Sequence, residues 1–536
     1  VNDDFSDVYG LYYALVADEG FEWDEIREWA QRIKTEVVTI DGVQKIVLQG
    51  EQQPVVNIFI TKSILANFSI TPEMIAAILS QQNDIVDTGE IDASEVRVRV
   101  LETGTYTSIE DIANQLLIAP DGRQFRLGDV ARIEQGYASP PAVVMKVDGR
   151  RAVGIGVSSD AEADVVRLGR SVNEALQRLT SQMPVGMDVV TLYPEDEIAR
   201  EANLSFMLNL LCSVAIVVLV IMLAMGLRAG SLIGLSLLFT IGGTMLGLYG
   251  LGEGINRTSL AGFIIAMGML VDNAIVVVDN ALKGVGRGVA LRESLVQGAT
   301  RPMWGLLGAT LIAVFSFLPL YLAPSAVAEI VKPLFIVIAF SLVLSWLLAL
   351  TQVPLFGESM LRVTDVASAS LSVGWFERLV RVMLAHRWTV VAVVVLLFVG
   401  SVVAMGAMPQ NFFPQLDKPF FRADVILPEG YDIRSTEQHL NSMARWLDEQ
   451  EEVVRVSTTV GSTPLRYYLA SGSVAGRPNF GNLLIEVKSK RETERVKRRF
   501  DEYVAATFPD VWLRSSLFKL SPVPDATIEI GFVGSD

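Results

Sequence analysis

One cysteine, Cys212, and two histidines, His386 and His439, are the chain's whole supply of thiol and imidazole side chains. A single cysteine closes no intrachain disulfide, and two histidines so far apart match no zinc or haem spacing. No metal and no other cofactor is therefore expected. Polybasic runs are missing too. Lys and Arg number 44 against 60 Asp and Glu, for a net charge of −16. That balance excludes the footprint of a nucleic-acid binder and reads as charge that keeps exposed domains soluble, the sharper alternative being an acidic vestibule favouring cationic substrates. A phosphate-binding loop is also lacking: the nearest stretch, Gly476–Asn482, has no lysine where one is required.

What the chain has in quantity is apolar sequence. Hydrophobic residues make up 51% of its 536 positions, yet charged residues still reach 19%. Membrane spans joined to sizeable water-exposed domains give that mixture. Six runs are long enough to cross a bilayer, at 204–225, 232–251, 260–281, 303–322, 334–356 and 388–407. One set of connecting loops carries Arg228, then Lys283, Arg287, Arg292 and Arg301, then Arg362, Arg378, Arg381 and Arg387. The alternate set has only Arg257 and Lys332, each near an acid. The basic set should face the cytoplasm, which leaves the regions before and after the six runs outside it. An exported N-terminal region with no leader, starting at Val1, suggests an upstream membrane helix. The end at Asp536, just after strand-like 526–532, suggests a cut inside a domain.

The flanking regions read as α/β. Residues 8–17 are strand-like, 21–38 have helical apolar spacing, and 43–48 are strand-like again. The same β-α-β order recurs at 152–192, with its helix at 165–179, and at 421–459, with its helix at 435–450. Between the first two lies a different insert. It has a helix at 71–82, a charged alternating stretch at 95–102 and a strand at 130–134.

The third run contains the residue with chemistry to offer. Asp272 sits about 18 Å along it, near mid-membrane at 1.5 Å per residue. A carboxylate there costs about 2.5–3.5 kcal/mol on insertion scales, whereas Leu or Val costs nothing. No Lys or Arg lies inside any of the six runs. Asp272 must therefore be protonated, bind a cation, or pair with a helix outside these six. A buried carboxyl that alternates between such states is what proton coupling needs; a permanently protonated, structural Asp is the plainer alternative. Asn273 points about 100° away around the helix, able to bond a neighbouring helix or the carboxyl itself. Asp279 lies one heptad on, near the cytoplasmic end. In the preceding run, Gly243 and Gly247 form a small-xxx-small pattern that permits close helix approach. Thr310, Ser316 and Ser341 read as polar ties between helices.

The segment GMLVDNAIVVVDN (Gly268–Asn280) resembles the fourth-membrane-helix signature of resistance-nodulation-division (RND) permeases. Its context is similar as well: LLGATL (Leu306–Leu311), FLPL (Phe317–Leu320), MPQNFFP (Met408–Pro414), and NDDF (Asn2–Phe5) through GEQQ (Gly50–Gln53). The resemblance covers essentially the whole chain. It implies an α-helical polytopic membrane bundle of six spans, with α+β extracytoplasmic porter subdomains built of ferredoxin-like β-α-β units and a docking-type insert. Residues 1–51 and 137–197 would form one porter subdomain, split by the docking-type insert at 52–136. Residues 198–407 would be the spans, and residues 408–536 would open a second porter half. It further implies a homotrimer in the bacterial inner membrane, surrounded by lipid and working with a periplasmic adaptor and an outer-membrane channel. Small amphiphilic substrates such as drugs would leave as protons enter. Two departures stand out. The family often has a second Asp where this chain has Asn273, so Asp272 alone would carry coupling. The stretch 82–98 is short for the family's inter-subunit arm. Of the family's phenylalanine-rich pocket, Tyr9 would occupy one position and Gln49 another, with Tyr467 and Tyr468 contributing from the second half.

Rival functions remain on residues alone. The cargo could be a metal ion, a lipid or a polypeptide, although the exposed regions have no Met, His or carboxylate cluster that metal export would want. A non-transporting sensor or scaffold leaves Asp272 unexplained. A membrane enzyme of the aspartyl-protease kind needs a second deep acid, and the six runs supply only one.

Overall fold

The computed structural model describes residues 7–68, 70–82, 90–93, 96–99, 106, 108–119, 122–160, 163–252, 256–324, 326–362, 374–406, 418–469 and 471–518. The chain forms two compact units, residues 1–195 with 413–536, and residues 196–412. The expected strand at 526–532 lies outside the described residues, as do the motifs at 2–5 and 408–414.

In chain order the first unit starts with β1 (Leu11–Ala17), α1 (Trp23–Val37) and β2 (Val43–Gln49). An insert follows: β3 (Pro54–Ile60), α2 (Lys62–Phe68), α3 (Pro72–Gln82), β4 (Glu90–Ala93), β5 (Val96–Arg99), α4 (Ile109–Ala113), β6 (Leu116–Ile118), β7 (Gln124–Arg126), α5 (Leu127–Val130) and β8 (Ala131–Tyr137). The chain then returns through β9 (Val144–Val147), β10 (Arg150–Ser159), α6 (Val165–Thr180) and β11 (Met187–Pro194). The second unit is helical: α7 (Glu195–Met225), α8 (Leu227–Gly250), α9 (Arg257–Gly286), α10 (Leu291–Thr300), α11 (Met303–Leu322), α12 (Ala326–Met360), α13 (Gly374–Ala385) and α14 (Arg387–Gly406). The first unit resumes with β12 (Phe420–Ile426), α15 (Ile433–Asp448), β13 (Val453–Val460), β14 (Phe480–Val487), α16 (Lys490–Thr507) and β15 (Trp512–Leu517).

The three β-α-β stretches of the sequence are not three separate modules. The first two combine into one antiparallel set, β11-β1-β10-β2, and the third is completed by β14, α16 and β15 into β15-β12-β14-β13. Each set is a β-α-β-β-α-β unit with its first strand between the fourth and the third. Strand β9 pairs with β10 on one side and with β13 on the other, and so joins both sets into a single nine-stranded sheet. The reason for the pairing is local. Each helix is amphipathic and needs a sheet to cover. Helix α1 buries Ile26, Ala30, Ile33 and Val37 against Leu11, Tyr13 and Leu15. Helix α15 buries Ile433, Leu440, Met443 and Leu447 against Phe421, Val425 and Ile485. Asp164 and Asp432 cap α6 and α15 by accepting from backbone N–H groups of the first turn. In the insert, residue 130 ends a one-turn helix rather than starting a strand, and β8 runs from Ala131 against β3.

At the β9–β13 join, Asp148 has a left-handed backbone (φ 50) and its carboxylate accepts from the Val456 N–H at 2.9 Å. Asp448, the last residue of α15, has its carboxyl pushed up to about 6, first by partial loss of water and then by the nearby Asp148 charge. Its folded value lies above the ordinary carboxylate value of 3.8. The folded state therefore holds more protons, and stability falls as pH rises through 6. Asp448→Asn should raise the unfolding temperature of the purified protein by a few degrees at pH 7.5 and leave it unchanged at pH 4. Equal gains at both values would contradict that origin.

Among the described residues of the helical unit, six helices are long and apolar enough to cross a membrane, matching the six runs. Helix α9 is central and packs on α8, α10 and α12. The Gly243 and Gly247 face of α8 meets α12: a Cβ on Gly243 would lie 2.7 Å from Leu344, and one on Gly247 2.3 Å from Phe340. Helix α7 starts nine residues before the first apolar run and follows β11 with no intervening loop. Helices α10 and α13 were not read from the sequence, being too short to span and carrying charge on one side.

Candidate functional site

Helix α9 starts at a capping box in which Asn256 accepts from Ser259 N–H and the Ser259 hydroxyl accepts from Asn256 N–H. From there an unbroken helix carries Phe263, Ala266, Met267, Leu270, Ala274, Val277 and Ala281 into the core. These positions recur every three to four residues and define the covered face. Ser345 of α12 donates to the Leu270 carbonyl at 2.5 Å, and Gly262 lets the Leu334 carbonyl approach α9 closely. Position 272 is thereby held by packing immediately before it and after it.

Asp272 points away from that core. It is exposed, in line with exposed Ile265 and Gly268, on the stripe of α9 that the other described helices leave uncovered. Among the described residues, no hydrogen bond or ion pair reaches its carboxylate. Asn273 turns the other way and is buried, 6% exposed. Its amide therefore faces the helix bundle while the carboxyl beside it does not, so the two adjacent polar groups serve different surroundings. Asp279 pairs with Lys283 one turn on, at 2.5 Å, a cation that Asp272 lacks. The remaining intramembrane hydroxyls are less connected than expected. Ser316 and Ser341 bond carbonyls of their own helices, Ile312 and Ile338, rather than a neighbour. Ser345, which bonds α9, and its neighbour Trp346, which donates to the Met303 carbonyl of α11, tie helices together, and nothing in their sequence surroundings set them apart.

The sequence model of the AcrB/AcrD/AcrF family matches residues 9–511. The chain belongs to that family of RND permeases. With its six apolar helices, this AcrB/AcrD/AcrF family member is a multi-pass membrane protein of a transporter family active in efflux.

In this family member, the four residues expected at a substrate pocket meet along one segment, 461–479, between β13 and β14. Tyr9 N–H donates to the Arg466 carbonyl at 2.8 Å. Gln49 holds the segment by both ends of its amide, donating to Thr463 O at 2.8 Å and accepting from Leu465 N–H at 2.9 Å. Tyr467 stacks on Tyr12, with ring centroids 5.5 Å apart and planes 1° from parallel. Tyr468 meets Phe518 edge-on at 4.9 Å. Tyr9, Tyr467 and Tyr468 are all buried. Tyr12 and Tyr193 belong to the same aromatic group but were missed. Period-two alternation could have found Tyr12: Tyr13 faces the helices and bonds Asn173, so Tyr12 must face the other side of the sheet. Tyr193 had no such signal, because only the long-range pairing of β11 with β1 brings it here.

Proposed function

We propose that the chain exports small amphiphilic molecules, such as drugs, in exchange for protons, and that Asp272 is the group that takes up and releases the proton. The observation that carries this reading is a carboxylate inside a long apolar helix that no hydrogen bond or ion pair reaches among the described residues, on the stripe of that helix the other described helices leave open. Leu or Val at that position would insert more readily. Retaining an acid there makes sense if its protonation state changes during the cycle.

On this reading, the sheet unit supplies the path for substrate outside the cytoplasm. Its two β-α-β-β-α-β sets act as ferredoxin-like porter subdomains, and the β3–β8 insert is the docking element. Tyr9, Gln49, Tyr467 and Tyr468 contact the substrate when the 461–479 segment moves away from the sheet. The transporter sits in the bacterial inner membrane as a homotrimer and hands substrate to a periplasmic adaptor and an outer-membrane channel.

Purified transporter in liposomes with a pH-sensitive dye inside tests the exchange. Adding an amphiphilic substrate should accelerate dissipation of an imposed proton gradient. A rate that does not respond to any of a panel of amphiphilic, metal and lipid cargoes would remove proton-coupled transport as the function. A response to metal or lipid alone would change the cargo.

A further inference from the structure

Gln352 lies in the apolar helix α12 and is only 7% exposed. Both ends of its amide, Oε1 and Nε2, are buried without a hydrogen-bond partner among the described residues. A primary amide has two donors and a carbonyl acceptor, and leaving them unmet away from water is costly. So deeply covered a side chain is also closed to any helix outside this bundle. Whatever satisfies it sits in the seam it faces.

Helix register identifies that seam. Ser345 donates to the Leu270 carbonyl, and a Cβ on Gly262 would lie 3.2 Å from that of Val337. Helices α9 and α12 therefore run side by side in the same direction, with 345 level with 270 and 337 level with 262. On this register Gln352 is level with Val277, one turn beyond Asn273, or about 6 Å at 1.5 Å per residue. Gln352 is two turns from Ser345 and returns to the face that meets α9. Asn273 is three turns from Gly262 and returns to the face that meets α12. Asn273 too is buried, and no hydrogen bond reaches its amide among the described residues.

The buried hydroxyls nearby are different. Thr240 and Thr244 of α8 donate to the Ser236 and Thr240 carbonyls, and Ser341 of α12 donates to the Ile338 carbonyl. Each is satisfied by its own helix; the two amides are not. On α12 the buried residue between Ser345 and Gln352 is Ala349, whose single methyl leaves room for a small guest. A buried water needs two to four polar partners, and two facing amides supply them.

We propose that water is bound between Asn273 and Gln352, forming a buried polar bridge from α9 to α12. The bridge lies beside Asp272 in sequence but on the covered side of α9. It differs in kind from the direct Ser345 bond one turn away: water can follow a small rotation of α9 that a direct bond resists. The inference does not depend on the cargo or on proton exchange.

Water-edited solid-state NMR on the full chain in lipid bilayers tests it. The Gln352 side-chain amide, assigned by its loss in Gln352→Leu, should receive magnetisation from water several-fold faster than the backbone N–H groups of buried Val337 and Ile338. In the same variant, transfer to the Asn273 amide should weaken. No transfer to either amide would overturn the proposal, as would a direct Asn273–Gln352 contact without transfer from water. Heat unfolding gives a second reading. Leu at 352 leaves the hydrated Asn273 amide short of a partner, so the unfolding temperature should fall by a few degrees. A dry, unpaired amide predicts the reverse, because Leu would then relieve its cost, and a clear rise would reject the water bridge. If Gln352→Leu does not fold, Gln352→Met, unbranched and without the amide, serves for the assignment and the comparison.

Discussion

Asp272→Asn should reduce efflux to the level of cells without the transporter, while the amount of protein in the membrane stays normal. The substitution keeps the size of the side chain and its capacity for hydrogen bonds, and removes only the titrating proton. Packing gives no reason for a loss of folding. The side chain is exposed on α9, whereas the residues that hold the helix, Leu270, Ala274 and Val277, are buried on the opposite side. Removing a charge from mid-membrane should, if anything, favour insertion. A structural role therefore predicts the opposite pattern, with near-normal efflux and a change in yield or thermal stability. Asp272→Glu separates the two further. It retains the proton but moves it by one methylene, and should leave partial efflux with an altered pH dependence. Asn273 gives an internal comparison. Its amide is buried in the bundle, so Asn273→Leu should lower stability before it lowers the proton response. Normal export by Asp272→Asn in intact cells would end the assignment of Asp272.

The membrane unit was the easiest part to read, because spanning a bilayer demands about 20 consecutive apolar residues and few other structures do. Asp272 was legible for the same reason in reverse: it is an acid deep inside an apolar run whose other acid, Asp279, lies near the end. The sheet unit was half legible. α1, α6 and α15 have clear apolar stripes between strand-like segments, but α16 does not. Its sequence KRETERVKRRFDEYVAAT offers only Thr493, Val496, Phe500 and Val504 to the core among many charges, so its helical face is narrow and easily passed over. Without α16, the β14–α16–β15 half of the second set could not be recognised, nor could the symmetry between the two sets. The aromatic group around the 461–479 segment was legible only in part: Tyr9, Gln49, Tyr467 and Tyr468 came from the family resemblance, whereas Tyr193 joins them only through the long-range pairing of β11 with β1, of which local patterns contain no trace.

Gly461→Val should destabilise the sheet unit by about 3–5 kcal/mol, visible as a collapse in unfolding temperature or in folded yield. Two costs add at this position. Gly461 has φ +89, where a β-branched residue is strained. A Cβ there would also lie 2.3 Å from the Ala142 carbonyl oxygen, and because that neighbour is backbone it cannot rotate away. Relief would require shifting the chain just before β9, the strand whose pairing with β10 and β13 joins the two halves of the sheet. The glycine also anchors the 461–479 segment. Its N–H donates to Phe480 O at 2.8 Å and its carbonyl accepts from Arg477 N–H at 3.1 Å, closing the segment at its base. A distortion here should reach Gln49 and Tyr467, which hold the same segment to the sheet further along. Gly472→Ala is the matched control: its added Cβ meets nothing within 4 Å, so it should unfold within a degree or so of the parent. If Gly461→Val behaves like that control, the segment is not pinned at its base, and the strain at this glycine has no bearing on how the two halves are joined.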